Sequence, residues 1–273
     1  MLRNLTGSKG NNSDSFNAHM ASDLGSTNCS NRGRGIRQRF ENLIKHRSIV
    51  PNFQPIVSTR NNEQVFGYEL LARGAVAGLE SPAQMFSAAE YLQRAAELSE
   101  LCRAKGFEVA DELPPTASLF VNTHPSESLL TFVLPSLHRM RRQIRDRKVI
   151  IEIHEGSITD SETLNEFTNS ISELNVELAF DDFGVGRARL LELIHVPPAF
   201  VKFDANLTRG IDRQPKHHEI VLRHLIKMVK EIGSCPIAEG VESESEAAWC
   251  RDLGFEFAQG FFFSRPVPVS RLR

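Results

Sequence analysis

The chain has 273 residues, 41% of them apolar and 24% charged, with a formal net charge of −2. That length suits one large domain with a tail and is too short for two full barrels. The near-neutral charge gives no electrostatic footprint for a nucleic-acid polymer, and no apolar run approaches the roughly 18 residues of a membrane span. Residues 1–33 are rich in Asn, Ser and Gly and are expected to form a disordered leader, with residues 34–273 as the folded domain. Ile36, Phe40, Leu43 and Ile44 have helical spacing within 35–46. Val50–Val57 and Val65–Leu71 read as two strands joined by the polar turn Thr59–Asn62, a hairpin that makes the first strand antiparallel. Residues 81–112 read as two helices opening on Ser81-Pro82, a cap and first-turn pair. Further helical stretches are predicted over 125–145, 161–174, 188–195, 215–232 and 243–253.

Several residue types in these stretches bear on function. The basic run Arg139, Arg141, Arg142, Arg145, Arg147 and Lys148 is expected to be a solvated helix face. His217 and His218 are adjacent, about 100° apart on a helix, and are read as surface residues. Trp249 is expected to pack its helix against the sheet. Cys29, Cys102, Cys235 and Cys250 show no CxxC spacing, which argues against zinc or a disulfide framework and suits a reducing, cytoplasmic setting.

The informative pattern lies where the strands stop. Val65–Tyr68 leads into Glu69, Ser118–Val121 into Asn122, and Val149–Ile151 into Glu152. Val176–Phe180 leads into Asp181 and Asp182, Phe200-Val201 into Lys202, Pro236–Ala238 into Glu239, and Phe255–Ala258 into Gln259. Short β-like runs alternating with helices argue a parallel sheet, and about eight such units suit a (β/α)8 TIM-type barrel. In that fold the strand C-termini share one face, so these residues are expected to meet in one cup.

Glu69, Asn122, Glu152, Asp181, Asp182 and Glu239 offer hard oxygen donors and no sulfur, a set for Mg²⁺ or Mn²⁺. Five carboxylates around one ion would repel one another, whereas two ions about 3.5–4 Å apart use them well, a layout suited to phosphodiester cleavage. Lys202 would then supply positive charge near the water or the phosphate. A Schiff-base role for Lys202 is opposed by the surrounding acids.

The motifs FQPIV (53–57), YELLAR (68–73), FVNTHP (120–125), IEIHE (151–155), FDDFGVG (180–186), VKFD (201–204), AEGVE (238–242) and QGFFFSRP (259–266) follow one another in this order. In this order and spacing the chain resembles the EAL-domain phosphodiesterases, over about 53–268. The resemblance implies a modified (β/α)8 barrel with an antiparallel first strand. It also implies hydrolysis of cyclic di-GMP to linear pGpG with Mg²⁺ or Mn²⁺, two ions being expected, in bacterial second-messenger signalling. Glu69, Asn122, Glu152, Asp181, Asp182 and Glu239 would hold metal. Lys202 would assist the water, Asp204 would support the metal site, and Gln259 would orient substrate or water. Gln54 and Arg73 would contact the dinucleotide, Arg73 through its guanidinium fork. Glu155 would hold the loop after Asp182, as would Glu242, which closes the AEGVE motif.

This chain departs from the family pattern at named places. Leu70 stands where the signature has alanine; on an alternating strand it points away from Glu69, so packing is expected to absorb it. His154 stands where the family has threonine. The loop reads DDFGVGRARL in place of DDFGTGYSSL, so Val185, Arg187, Ala188 and Arg189 replace its polar set. That loop links the family's homodimer interface to the second metal, which puts dimer control in question more than the ligand set. A catalytically silent cyclic di-GMP receptor or protein-interaction module is the alternative that the altered loop favours and the intact ligand set opposes. A metal-dependent hydrolase of another phosphodiester rests on the generic chemistry alone.

Overall fold

In the computed structural model, which describes residues 26–61, 63–142, 147–154, 160–184 and 190–272, eight strands close into a barrel in the order β1 to β8. The strands are β1 (Ile49–Ser58), β2 (Val65–Gly74), β3 (Ser118–Asn122), β4 (Val149–Ile153), β5 (Val176–Phe183), β6 (Phe200–Phe203), β7 (Cys235–Ala238) and β8 (Phe257–Ala258). β1 is antiparallel to both β2 and β8, while β2 through β8 pair in parallel. The expected hairpin and modified barrel are therefore both present.

Strand alternation sorts the side chains into two sets. One set points outward and meets the helices; it includes Tyr68, Leu70, Leu119, Val121, Ile151, Leu178, Phe180, Val201 and Phe203. The other points inward. Its lower layer is a dry plug of Ile56, Phe120, Ile150, Ala179, Phe200 and Ile237, with Phe66 stacked on Phe257 at a centroid distance of 4.2 Å. One pleat above that plug, two residues further along, stand Asn122, Glu152, Asp181, Lys202, Glu239 and Gln259. The polar cup thus has an apolar floor that bars water from below.

The helix Ser26–Lys45 precedes β1 and buries Phe40 and Leu43 completely, in a cluster with Leu79, Met85, Leu98 and Leu101. This helix starts earlier than the apolar spacing from Ile36 implies, so residues 26–33, expected in the leader, are helical; residues 1–25 lie outside the described residues. A helix anchored by packing at its C-terminal half propagates over polar residues at little cost. The expected helix pair over 81–112 is Pro82–Tyr91 and Ala95–Val109, the first opened by a capping box between Ser81 and Gln84. Over 125–145 the chain forms a π turn, Leu129–Val133, and the helix Leu134–Arg141. The helices Ser161–Ser172, Leu190–His195, Lys216–Glu231 and Glu244–Leu253 occupy the remaining connections, and Trp249 packs on the outer core as expected.

The basic run is not one solvated face. Arg147 is buried, and its guanidinium donates to the carbonyls of Leu113, Pro114 and Ala117. Arg139 pairs with Glu100, Arg141 donates to the Arg147 carbonyl and Lys148 pairs with Glu177, while Arg145 lies outside the described residues. Five donors on a planar group let one arginine satisfy several carbonyls at a strand entrance, a use that charge patterning does not reveal. His217 is exposed; His218 is half-buried, its ring nitrogen 2.9 Å from the Leu207 carbonyl.

Leu70 fits because of its neighbour. A Cβ on Gly106 would fall 2.0 Å from Leu70 Cδ2, so the bulkier strand residue occupies space that a helix glycine leaves open. The expectation that packing absorbs Leu70 holds, and Gly106 is the reason.

Candidate active site

The sequence FDDF forces an irregularity that builds the site. In the pairing of β5 with β6, Phe180 opposes Val201 and Phe183 opposes Phe203. Two residues, Asp181 and Asp182, therefore stand opposite the single residue Lys202. A bulge of this kind re-aims side chains. Asp182 has φ 56°, a left-handed conformation that aspartate tolerates better than most residues. Regular alternation would send one of the two acids outward, whereas the bulge lets both face the cup.

Lys202 is the centre of the arrangement. Its buried Nζ lies 2.7 Å from Glu152, 2.8 Å from Glu239, 3.1 Å from Asp181 and 3.7 Å from Glu69. Burial pulls the ammonium pKa down, but Asp181, Glu152, Glu239 and Glu69 together hold it well above the ordinary lysine range. The carboxyls shift the other way. Complete burial lifts Glu152 well above the usual carboxylate range, Lys202 opposes this, and Glu69 and Asp181 add repulsion. Burial pushes Glu239 up to about 8, with Lys202 opposing and Asp181 and Glu69 adding to the rise. Asp181 is raised for the same reasons, with Asp182 among its like-charged neighbours. One lysine therefore does not offset the burial and mutual repulsion of these carboxyls.

An amide network orders the β1–β2 side. Gln54 lies opposite Glu69 across the hairpin. Gln259 Nε2 donates to Gln54 Oε1 at 3.0 Å and to Glu69 Oε2 at 2.6 Å; Asn122 Nδ2 donates to Glu69 Oε1 at 2.8 Å. Gln54 donates in turn to the Ser264 carbonyl. Gln54 is buried, and its carbonyl oxygen orients Gln259. Arg73 is exposed at the end of β2, four residues beyond Glu69 and so on the same strand face. A cavity of about 500 Å³ opens over Glu69, Asn122 and Asp181, walled by Phe86, His124 and His154.

The donor set fits a divalent cation. Ligand oxygens of Asp181, Asp182 and Glu239 come within 4.8 Å of one another, and among the described residues this is the group that can converge on one ion. Glu152 Oε2 and Gln259 Oε1 are buried without a hydrogen-bond partner among the described residues. Raised carboxyl pKa values, orphaned oxygens and an all-oxygen donor set are what a metal would relieve. Glu69, Asn122 and Glu152, from β2, β3 and β4, complete the cup.

Asp204 and Glu242 make contacts outside the cup. Asp204 caps the short helix Ala205–Thr208, its Oδ1 accepting from the Asn206 amide at 2.7 Å. Glu242 pairs at the surface with Arg209 at 2.9 Å. Glu155 lies outside the described residues, as do Val185, Arg187, Ala188 and Arg189. Sequence reasoning missed a buried ion pair behind Asn122. Arg103 donates to Glu127, Ser99 and the Asn122 carbonyl, while Glu127 accepts from the His124 amide. An arginine four residues from a serine gives no signal that both are interior. Glu239 is positioned by Thr208, whose hydroxyl donates to its carbonyl, and by Gly240, whose positive φ admits the turn against Ala205.

A TIM-type barrel with an acid-lined rim around one buried lysine is the class of protein that fold and site define. A family profile described as EAL domain matches residues 37–266, and the chain belongs to that family. PdeN of Escherichia coli K12, described as a probable cyclic di-GMP phosphodiesterase, is 28% identical over 83% of this chain and 45% of its own length. This chain therefore spans less than half of that relative. BlrP1 of Klebsiella pneumoniae, solved as a manganese and cyclic di-GMP complex, is 27% identical with a TM-score of 0.68, covering 81% of this chain and 57% of that one. The FimX EAL domain of Pseudomonas aeruginosa, solved bound to cyclic di-GMP, is 22% identical with a TM-score of 0.74 over 85% of this chain and 96% of that one. It supports the fold.

Proposed function

We propose that this chain is a metal-dependent phosphodiesterase that hydrolyses cyclic di-GMP to pGpG, acting in bacterial second-messenger signalling in the cytoplasm. The observation that carries the reading is Lys202 held among Glu152, Asp181 and Glu239, with Asp182 turned to the same cup by the β5 bulge. Asp181, Asp182 and Glu239 would hold one divalent ion, and Glu69, Asn122 and Glu152 would serve a second, with Mg²⁺ or Mn²⁺ suited to such oxygens. When bound, such ions polarise phosphate oxygens and make water nucleophilic at neutral pH.

The chain's own residues account for the rest. Lys202 remains charged and offers its ammonium to negative charge developing at the phosphorus centre. Gln259, aligned by Gln54, fixes Glu69 and leaves its buried Oε1 free to accept from substrate or water. Arg73 stands on the rim to take a non-bridging phosphate oxygen in its fork. The apolar floor beneath Lys202 limits water to the open side, which strengthens each of these charge interactions.

Hydrolysis of cyclic di-GMP by the purified chain with Mn²⁺, compared with Glu69→Ala, tests the proposal. Turnover that depends on Mn²⁺ and vanishes in the variant is expected. Turnover of another cyclic dinucleotide in preference would reassign the substrate. Binding without turnover would favour the receptor reading that the loop substitutions suggest.

A further inference from the structure

Asp182 sits on a bulge in left-handed backbone, so regular β5 pairing does not fix the direction of its carboxylate. A side chain just beyond the neighbouring strand β4 does meet it. His154, the residue after β4, places Nε2 3.1 Å from Asp182 Oδ2. The imidazole and the carboxylate are 45% and 36% exposed, so the pair lies at the mouth of the cup. His154 also walls the cavity above Asp181 and Asn122.

We propose that His154 is a positioning residue for metal binding, its Nε2–H donating to Asp182 Oδ2 and holding that carboxylate toward Asp181 and Glu239. The inference rests on the reading of those three acids as a metal site. His154 stands beside the site and not in it, since the converging group is Asp181, Asp182 and Glu239 without the imidazole. Outer partners of ligating carboxylates fix their orientation, and their loss commonly weakens metal binding while the ligands remain. The role is also particular to this chain. A threonine, as the family pattern has here, carries its hydroxyl on the β-carbon and reaches less far than an imidazole Nε2. An exposed pair of this kind adds little to folding stability, so its effect should be seen in the metal and not in the fold.

Mn²⁺ titration of the whole chain, followed by the electron paramagnetic resonance signal of free Mn²⁺, tests the proposal. Wild type, His154→Ala and His154→Gln are compared, with melting temperatures measured in the absence of metal. His154→Ala should bind Mn²⁺ roughly tenfold more weakly, within the range usual for an outer partner. His154→Gln, which keeps an amide donor, should recover most of that loss, and all three should melt alike without metal. Equal affinity in wild type and His154→Ala overturns the proposal, as does a glutamine variant as weak as alanine. A fall in metal-free melting temperature that parallels the lost affinity makes the role structural and overturns it too. Spin-echo modulation from a directly bound ¹⁴N would make His154 a ligand and equally sink the positioning role. Wild type that binds no Mn²⁺ fails the underlying metal-site reading instead, so the two failures are distinguishable.

Discussion

Glu239 shows how one residue links the site to stability. Its carboxyl has an ordinary pKa near 4.5 in the unfolded chain and about 8 in the metal-free fold. Because the folded value is the higher, the folded state binds the proton more tightly than the unfolded chain does. The resulting stabilisation is full below about 4.5 and is lost as pH rises through about 8. Glu152 and Asp181 are raised as well and act with the same sign. In chelator, the melting temperature should therefore fall as pH rises across that window. The slope should be smaller in Glu239→Gln, which cannot titrate. Added Mn²⁺ should raise the melting temperature more at the alkaline end, because its ligands must first lose their protons. A metal-free melting temperature that is flat or rising with pH would contradict this account of the cup.

At the scale of elements, β2 and the helix Ala95–Val109 are fitted to each other through Leu70 and Gly106. A glycine inside a helix is unfavourable by about 0.8–1.0 kcal/mol relative to alanine, so Gly106→Ala would be stabilising on propensity alone. Here the added methyl collides with Leu70, and overpacking of a filled core costs about 1–3 kcal/mol. The clash should win, and Gly106→Ala should lower the melting temperature. Leu70→Ala alone opens a cavity and should cost about 2–5 kcal/mol. In the Leu70→Ala background, Gly106→Ala should change sign and stabilise. A double-mutant cycle by chemical denaturation reads the coupling. Additive effects would show that the strand and helix relax apart with no shared constraint.

For the whole molecule, the question is how activity is controlled. Residues 185–189 lie outside the described residues, so the expectation of weakened dimer control rests on Arg187 and Arg189 in the sequence alone. An exposed ion pair made by Arg187 or Arg189 would be worth only about 0–1 kcal/mol, too little to silence the proposed activity. Specific activity should be present and should change little over a wide dilution series. A steep fall on dilution would show that a homodimer still governs the site. Among the described residues no helix is long and apolar enough to cross a membrane.

The sequence by itself determined the strand-end residues, their order and the antiparallel hairpin. These follow from local chemistry: an apolar run that stops on a polar residue is visible in one dimension, and parallel strands bring such ends to one face. It also carried the oxygen-only donor set of Glu69, Asn122, Glu152, Asp181, Asp182 and Glu239. What it could not carry is which neighbour each group meets. Strand alternation alone would have turned either Asp181 or Asp182 outward, and only the register slip against β6 lets both converge with Glu239. Arg147 reads as charged surface and Arg103 carries no signal at all, yet both are interior, because their partners are carbonyls and a carboxylate contributed from distant segments. Gln54 was legible as a site residue and not as a strut for Gln259, 205 positions away. His154 looked like a substitution in a motif until the fold laid it against Asp182. Pairings of this kind depend on the closure of the barrel, and closure is a property of the assembled sheet that no single strand encodes.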